Sequence, residues 1–162
     1  MSKALHVHVD VEIAREPEQV WAIVGDYAQD VHWRKGITEM TPDTPGLARL
    51  GTRVREVLKM AGSTYTTESV VTEFGPGRRY RFAGQGDGGR VTGGRMVRPG
   101  ARVATAIFTY DVEVEPTLPG FLVPVMAWWM QRAFTKDVAR LQDMVEHDRF
   151  VPVAGVPTSV AA

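Results

Sequence analysis

The chain has 162 residues, 44% of them hydrophobic, enough for one domain whose core buries most of its apolar surface. Its 19 basic and 19 acidic side chains cancel, so overall charge gives no reason to expect nucleic acid or an anionic membrane as partner. There are no cysteines, which excludes disulfides, thiolate metal sites and thiol nucleophiles, and fits a reducing, cytoplasmic setting.

Met1 to Ala4 lead straight into alternating residues with no apolar h-region, so no secretion signal is expected. Leu5, Val7, Val9, Val11 and Ile13 alternate with His6, His8, Asp10 and Glu12, the pattern of a half-buried strand. Pro17 suits the first position of a short helix that turns Val20, Trp21 and Val24 inward and stops at Gly25. A second short helix or turn is expected over Tyr27 to Arg34, and Pro42, Pro45 and Gly46 mark a loop. In Thr52 to Met60 the apolar phase is Val54, Leu58 and Met60, and it takes Glu56 inward with it. Ser63 to Phe74 reads as a strand with both phases mixed, so its facing stays open.

Gly75-Pro76-Gly77 is a turn, after which Tyr80 and Phe82 alternate inward against Arg79 and Arg81. Asp87-Gly88 marks a hairpin tip, and Gly93-Gly94 predicts a bend or bulge in the next strand. Arg102 to Glu115 is the last strand, with Ala104, Ala106, Phe108, Tyr110 and Val112 inward. From about Gly120 to Asp148 one amphipathic helix gathers Val123, Ala127, Met130, Phe134, Val138, Leu141 and Val145 on one face. Trp128 and Trp129 lie off that stripe, under a loop or in an exposed patch. The longest apolar run, Phe121 to Met130, is broken by Pro124 and is too short to span a bilayer. The reading is one domain over residues 1–148 with a tail over 149–162, as monomer or homodimer.

The segment from Ile13 through Glu16-Pro17-Glu18-Gln19-Val20-Trp21 to Gly25-Asp26-Tyr27 and Trp33 resembles the opening of START-like helix-grip (SRPBCC) proteins. Ser69 to Phe82 is similar to that superfamily's mid-sheet strand–turn–strand, and Asp137-Val138-Ala139-Arg140-Leu141 to its closing helix. The resemblance covers about residues 4–148. It implies an α+β fold: a curved seven-stranded antiparallel sheet around the long C-terminal helix, with a cavity between them. It also implies a small hydrophobic ligand or polyketide intermediate, handled by a polyketide cyclase/dehydrase-like protein or by a non-catalytic carrier for a lipid or hydrophobic metabolite. Fold does not choose between these. The pocket positions that carry over are Trp33 near the entrance, Tyr80 and Phe82 mid-sheet, and the inner face of the last helix.

Among individual residues, Glu56 stands out: a carboxylate facing an apolar chamber is costly to ionise and so suited to proton transfer, the alternative being a structural pair with a neighbouring arginine. Tyr80 and Tyr110 can present phenol hydroxyls to a carbonyl or enolate. His32, Trp33, Phe82, Phe108, Met126, Met130 and Phe134 complete the expected ligand-binding set, and Met side chains tolerate varied ligand shapes. Asp137 lies near the inner edge of the helix stripe, with Lys136 and Arg140 beside it as surface partners. His6 and His8 share one side of a strand without an evident third ligand, so no metal is expected. Gly84 to Gly89 matches G-x-G-x-x-G, but a strand rather than a helix follows it, so no dinucleotide or other cofactor is expected. Seven arginines and one acid, Asp87, lie between Arg78 and Arg102. They are either solvated on the outer sheet face or a docking surface for an acidic carrier protein.

Overall fold

The computed structural model describes residues 3–75 and 78–150. Strand β1 (Leu5–Ile13) leads into helix α1 (Pro17–Val24), a 3-10 turn (Tyr27–Gln29) and the single-turn helix α2 (Asp30–Trp33). Six strands follow: β2 (Ile37–Pro42), β3 (Arg53–Met60), β4 (Ser63–Gly75), β5 (Arg79–Gly86), β6 (Gly89–Pro99) and β7 (Ala106–Pro116). A 3-10 turn over Gly120–Leu122 then opens the long helix α3 (Val123–Glu146). The expected turn residues Pro76 and Gly77, and 151–162 of the expected tail, lie outside the described residues.

The seven strands form one antiparallel sheet in the order β1-β7-β6-β5-β4-β3-β2, curled with α3 packed against it. Each strand pairs with its sequence neighbour except β1, which pairs with β7 from Leu5↔Val114 to Ile13↔Ala106. An edge strand offers unpaired backbone groups to any passing chain. Here α3 covers them: Gln131 binds the His8 N–H (3.3 Å) and C=O (2.9 Å), Gln142 donates to the Glu12 carbonyl (2.9 Å), and Glu146 accepts from the Ala14 N–H (2.9 Å). At the start of α1, Gln19 accepts from the Glu16 N–H (3.0 Å).

Hairpin chemistry sets the register. Ala61-Gly62 joins β3 to β4 with both residues at positive φ, the conformation a tight two-residue turn requires. Asp87-Gly88 joins β5 to β6 as expected. Gly93-Gly94 does not make a bulge, for β6 runs in unbroken register with both neighbours. Gly93 serves close approach instead: a Cβ there would lie 2.8 Å from the Phe82 ring and 2.5 Å from the Asp111 carbonyl oxygen. The irregularities fall between Ile37 and Glu39 and between Val71 and Glu73. The second settles the facing of β4, with Tyr65, Thr67 and Ser69 on the inner side, Val71 buried and Phe74 exposed after the bulge. Ala104 is not in β7 but in the preceding turn, at φ 55°.

The filled part of the core lies where α1 and the C-terminal half of α3 meet β1, β6 and β7. Val20, Val24, Ile13, Val97, Phe108, Val138 and Leu141 are all buried there. On the outer face, His6 pairs with Asp111 and His8 with Asp10 (3.2 Å). Of the seven arginines between 78 and 102, five face an acid: Arg78 with Glu18, Arg81 with Asp111, Arg90 with Glu115, Arg102 with Glu12 and Arg95 with Asp30. Arg95 is not on the outer face at all; it is 2% exposed on the inner phase of β6.

Candidate functional site

Between the N-terminal half of α3 and the inner faces of β3, β4 and β5 lies a cavity of about 880 Å³, within the usual range for small-molecule sites. Alternation along each strand decides its lining. β3 contributes Glu56, Leu58 and Met60, β4 contributes Tyr65, Thr67 and Ser69, and β5 contributes Phe82. Val91 of β6, Tyr110, Val112 and Val114 of β7, and Met126, Met130 and Phe134 of α3 complete its apolar body.

Six of the expected site residues therefore line this cavity: Glu56, Phe82 and Tyr110 from the sheet, and Met126, Met130 and Phe134 from the helix. The other four lie elsewhere. Tyr80 is buried beneath α1 and the 3-10 turn, against Trp21 (ring centroids 5.8 Å apart) and Tyr27 (5.4 Å). Trp33 and Phe108 pack edge to face at 6.1 Å in the filled core. His32 is exposed and faces Phe150 at 6.4 Å, away from the cavity.

What separates the filled core from the cavity is a layer of buried charge. Asp30, fully buried, accepts from both terminal nitrogens of Arg95, one at 2.8 Å, and from Arg34 at 3.1 Å. Arg34 reaches onward to Glu56 at 2.8 Å. Arg95 also donates to the Val24 carbonyl (3.0 Å) and lies over the rings of Tyr110 (4.8 Å), Trp33 (5.2 Å) and Tyr27 (5.5 Å). Burial is the largest influence on both arginines and works against their charge. Glu56, Tyr110 and Asp30 around Arg34, and Asp30, Tyr80 and Tyr110 around Arg95, outweigh it and push both pKa values up. Such an array is tolerable because bidentate geometry and aromatic faces replace much of the lost hydration.

Of the two readings of Glu56, an open carboxylate or one paired with a neighbouring arginine, the structure shows the pair. Glu56 lines the cavity with Arg34 on one side and Thr67 directly opposite in the β3–β4 register. Tyr110 and Phe134 flank the same guanidinium at 5.9 Å each, and the Tyr110 hydroxyl makes no hydrogen bond among the described residues. Asp137 also lines the cavity, accepting from the Lys35 N–H and from Arg140, both at 3.2 Å. Burial is the largest influence on it and raises its pKa above the ordinary aspartate value. Arg140 ties α3 to the end of α2 by donating to the Trp33 carbonyl (2.8 Å).

The sequence profile of the polyketide cyclase/dehydrase and lipid transport family matches residues 4–146. The chain belongs to that family. Its fold agrees with several solved structures. A protein from Thermus thermophilus is 22% identical, with TM-score 0.72 over 90% of this chain and 99% of that one. A START superfamily protein from Mycobacterium smegmatis is 18% identical, with TM-score 0.71 over 88% and 98%. The Zhui aromatase/cyclase from Streptomyces sp. R1128 is 15% identical, with TM-score 0.72 over 92% and 98%. At these identities the likeness is one of fold. No curated protein matches the chain significantly. Among the described residues of this family member, no helix is long and apolar enough to cross a membrane.

Two consequences of the division between core and cavity are measurable. Leu141 is fully buried in the filled half, whereas Phe134 borders open volume. Leu141→Ala should cost about 2–5 kcal/mol in urea unfolding, and Phe134→Ala less than the roughly 3–5 kcal/mol of a ring in a full core. Trp128 and Trp129, exposed by 63% and 40%, line the cavity, whereas Trp33 does not. A ligand-induced change in tryptophan emission should therefore survive Trp33→Phe and shrink in Trp128→Phe and Trp129→Phe.

Proposed function

We propose that this protein binds a small hydrophobic ligand in the cavity beneath α3 and acts on it as a polyketide cyclase/dehydrase-like enzyme. The observation that carries this reading is the convergence of Arg34, Glu56 and Tyr110 at one end of an otherwise apolar chamber. Enclosure folds a flexible poly-ketone and excludes water, so that orientation supplies much of the rate. In this reading Glu56 takes a proton from a methylene between two carbonyls. Arg34 and the Tyr110 hydroxyl are the donors available to the enolate oxygen that results. The enolate carbon closes the ring onto a second carbonyl, the new alkoxide takes back the proton that Glu56 holds, and loss of water then forms the ring double bond.

The test is incubation with a linear poly-β-ketone thioester, scoring ring-closed, dehydrated product against the spontaneous mixture. Glu56→Gln and Tyr110→Phe should each slow its formation by about a hundredfold or more, the usual contribution of a positioned acid or base. A carrier for a lipid or hydrophobic metabolite is the second reading, favoured by one observation: both cavity carboxylates, Glu56 and Asp137, are already held by arginines. Saturable binding with no turnover, unchanged in Glu56→Gln, would decide for the carrier.

A further inference from the structure

The cavity is far more positive than the protein around it. Six cationic side chains and two carboxylates line it, an excess of four positive charges in a chain of zero formal net charge. The two carboxylates are spoken for, Glu56 by Arg34 and Asp137 by Arg140. Lys35, Lys59, Arg132 and Lys136 make no ion pair among the described residues, and all four are exposed at the cavity rim. They arrive from three separate places, the connection between α2 and β2, the end of β3 and one side of α3. Chain proximity alone does not account for their meeting. Arg132 and Lys136 are also four apart on one helix, a like-charge spacing that costs some helix stability. Behind this rim the lining is Phe82, Val91, Val112, Val114, Met126 and Met130. A cleft lined by one sign of charge over low-dielectric walls concentrates ligands of the opposite sign.

We infer that the ligand is an anionic amphiphile, with an apolar body inside the chamber and an acidic head, carboxylate or phosphate, at the rim lysines and Arg132. This rests on the reading of the cavity as a ligand site and adds the charge of what it takes.

The experiment is displacement of N-phenyl-1-naphthylamine, an uncharged fluorescent probe, from the whole protein at pH 8. The competitors are dodecanoate, dodecyl phosphate, dodecanol and dodecyltrimethylammonium, all with the same chain. Both anions should compete about tenfold or more better than dodecanol at low salt, and the cation worst, since four unpaired cations attract an acidic head and repel a basic one. In 0.5 M salt the advantage should shrink severalfold. The Lys35→Gln, Lys59→Gln, Arg132→Gln, Lys136→Gln variant should keep probe and dodecanol affinity and lose the preference for anions. Equal competition by all four amphiphiles, or an anion preference that survives in the variant, overturns the inference and leaves the cavity reading intact. Failure of the probe and every amphiphile to bind overturns both.

Discussion

Asp30→Asn should destabilise the protein by about 3–5 kcal/mol, a large share of the roughly 5–15 kcal/mol that holds a domain of this kind together. Asp30 is fully buried, and it is the carboxylate that both Arg34 and Arg95 grip. Asparagine keeps the shape but removes the charge, leaving the Arg95 guanidinium inside the fold with aromatic faces and one carbonyl for company. Arg34 retains Glu56 and loses less. The cost is therefore that of a stranded cation, and removing the cation should recover part of it. Asp30→Asn combined with Arg95→Met should lose less than the sum of the single changes, a coupling that urea unfolding of the four proteins measures directly. An Asp30→Asn variant within about 1 kcal/mol of the parent would mean that the layer carries no structural weight.

Thr67→Trp should abolish ligand binding while leaving the fold in place. Thr67 points into the cavity from the middle of β4, and its partner on β5 is Gly86, which offers no side chain to obstruct a larger ring. Overpacking costs about 1–3 kcal/mol where a core is already full, but here the added indole enters open volume, so stability should change by less than about 1 kcal/mol. Binding of an uncharged apolar probe should weaken at least about thirtyfold, or about 2 kcal/mol, since the ring takes the space that the probe needs. Retained affinity would place the probe elsewhere, with the exposed surface of Phe121 and Val125 as the first alternative.

The fold was legible because its signals are local. Period-two alternation in Leu5 to Ile13 and in Tyr80 and Phe82, the Asp87-Gly88 tip and the long apolar stripe of α3 each follow from backbone geometry within a short window. The bulge at Val71/Glu73 was not legible, because it shifts β4 from one phase to the other and so mixes both. The site was half legible for a related reason. Parity tells which side chains face inward, and it correctly turns Tyr80, Phe82, Phe108 and Tyr110 to one side of the sheet. It does not tell which inward residues meet the helix and which meet empty space. That boundary is drawn by Asp30, Arg34 and Arg95, whose association spans 65 residues of sequence. One clue was available: Arg95 shares the parity of Val91, Gly93 and Val97, so an arginine was due inside, and an acid to meet it had to follow.

The central claim is that the space beneath α3 is a ligand site, and isothermal titration calorimetry tests it most directly. Titrating N-phenyl-1-naphthylamine into the whole protein at several temperatures should give one saturable site per chain with a negative heat-capacity change, the mark of apolar surface leaving water, and both should vanish in Thr67→Trp. Absence of saturable binding, or a signal indifferent to Thr67→Trp, would contradict the account.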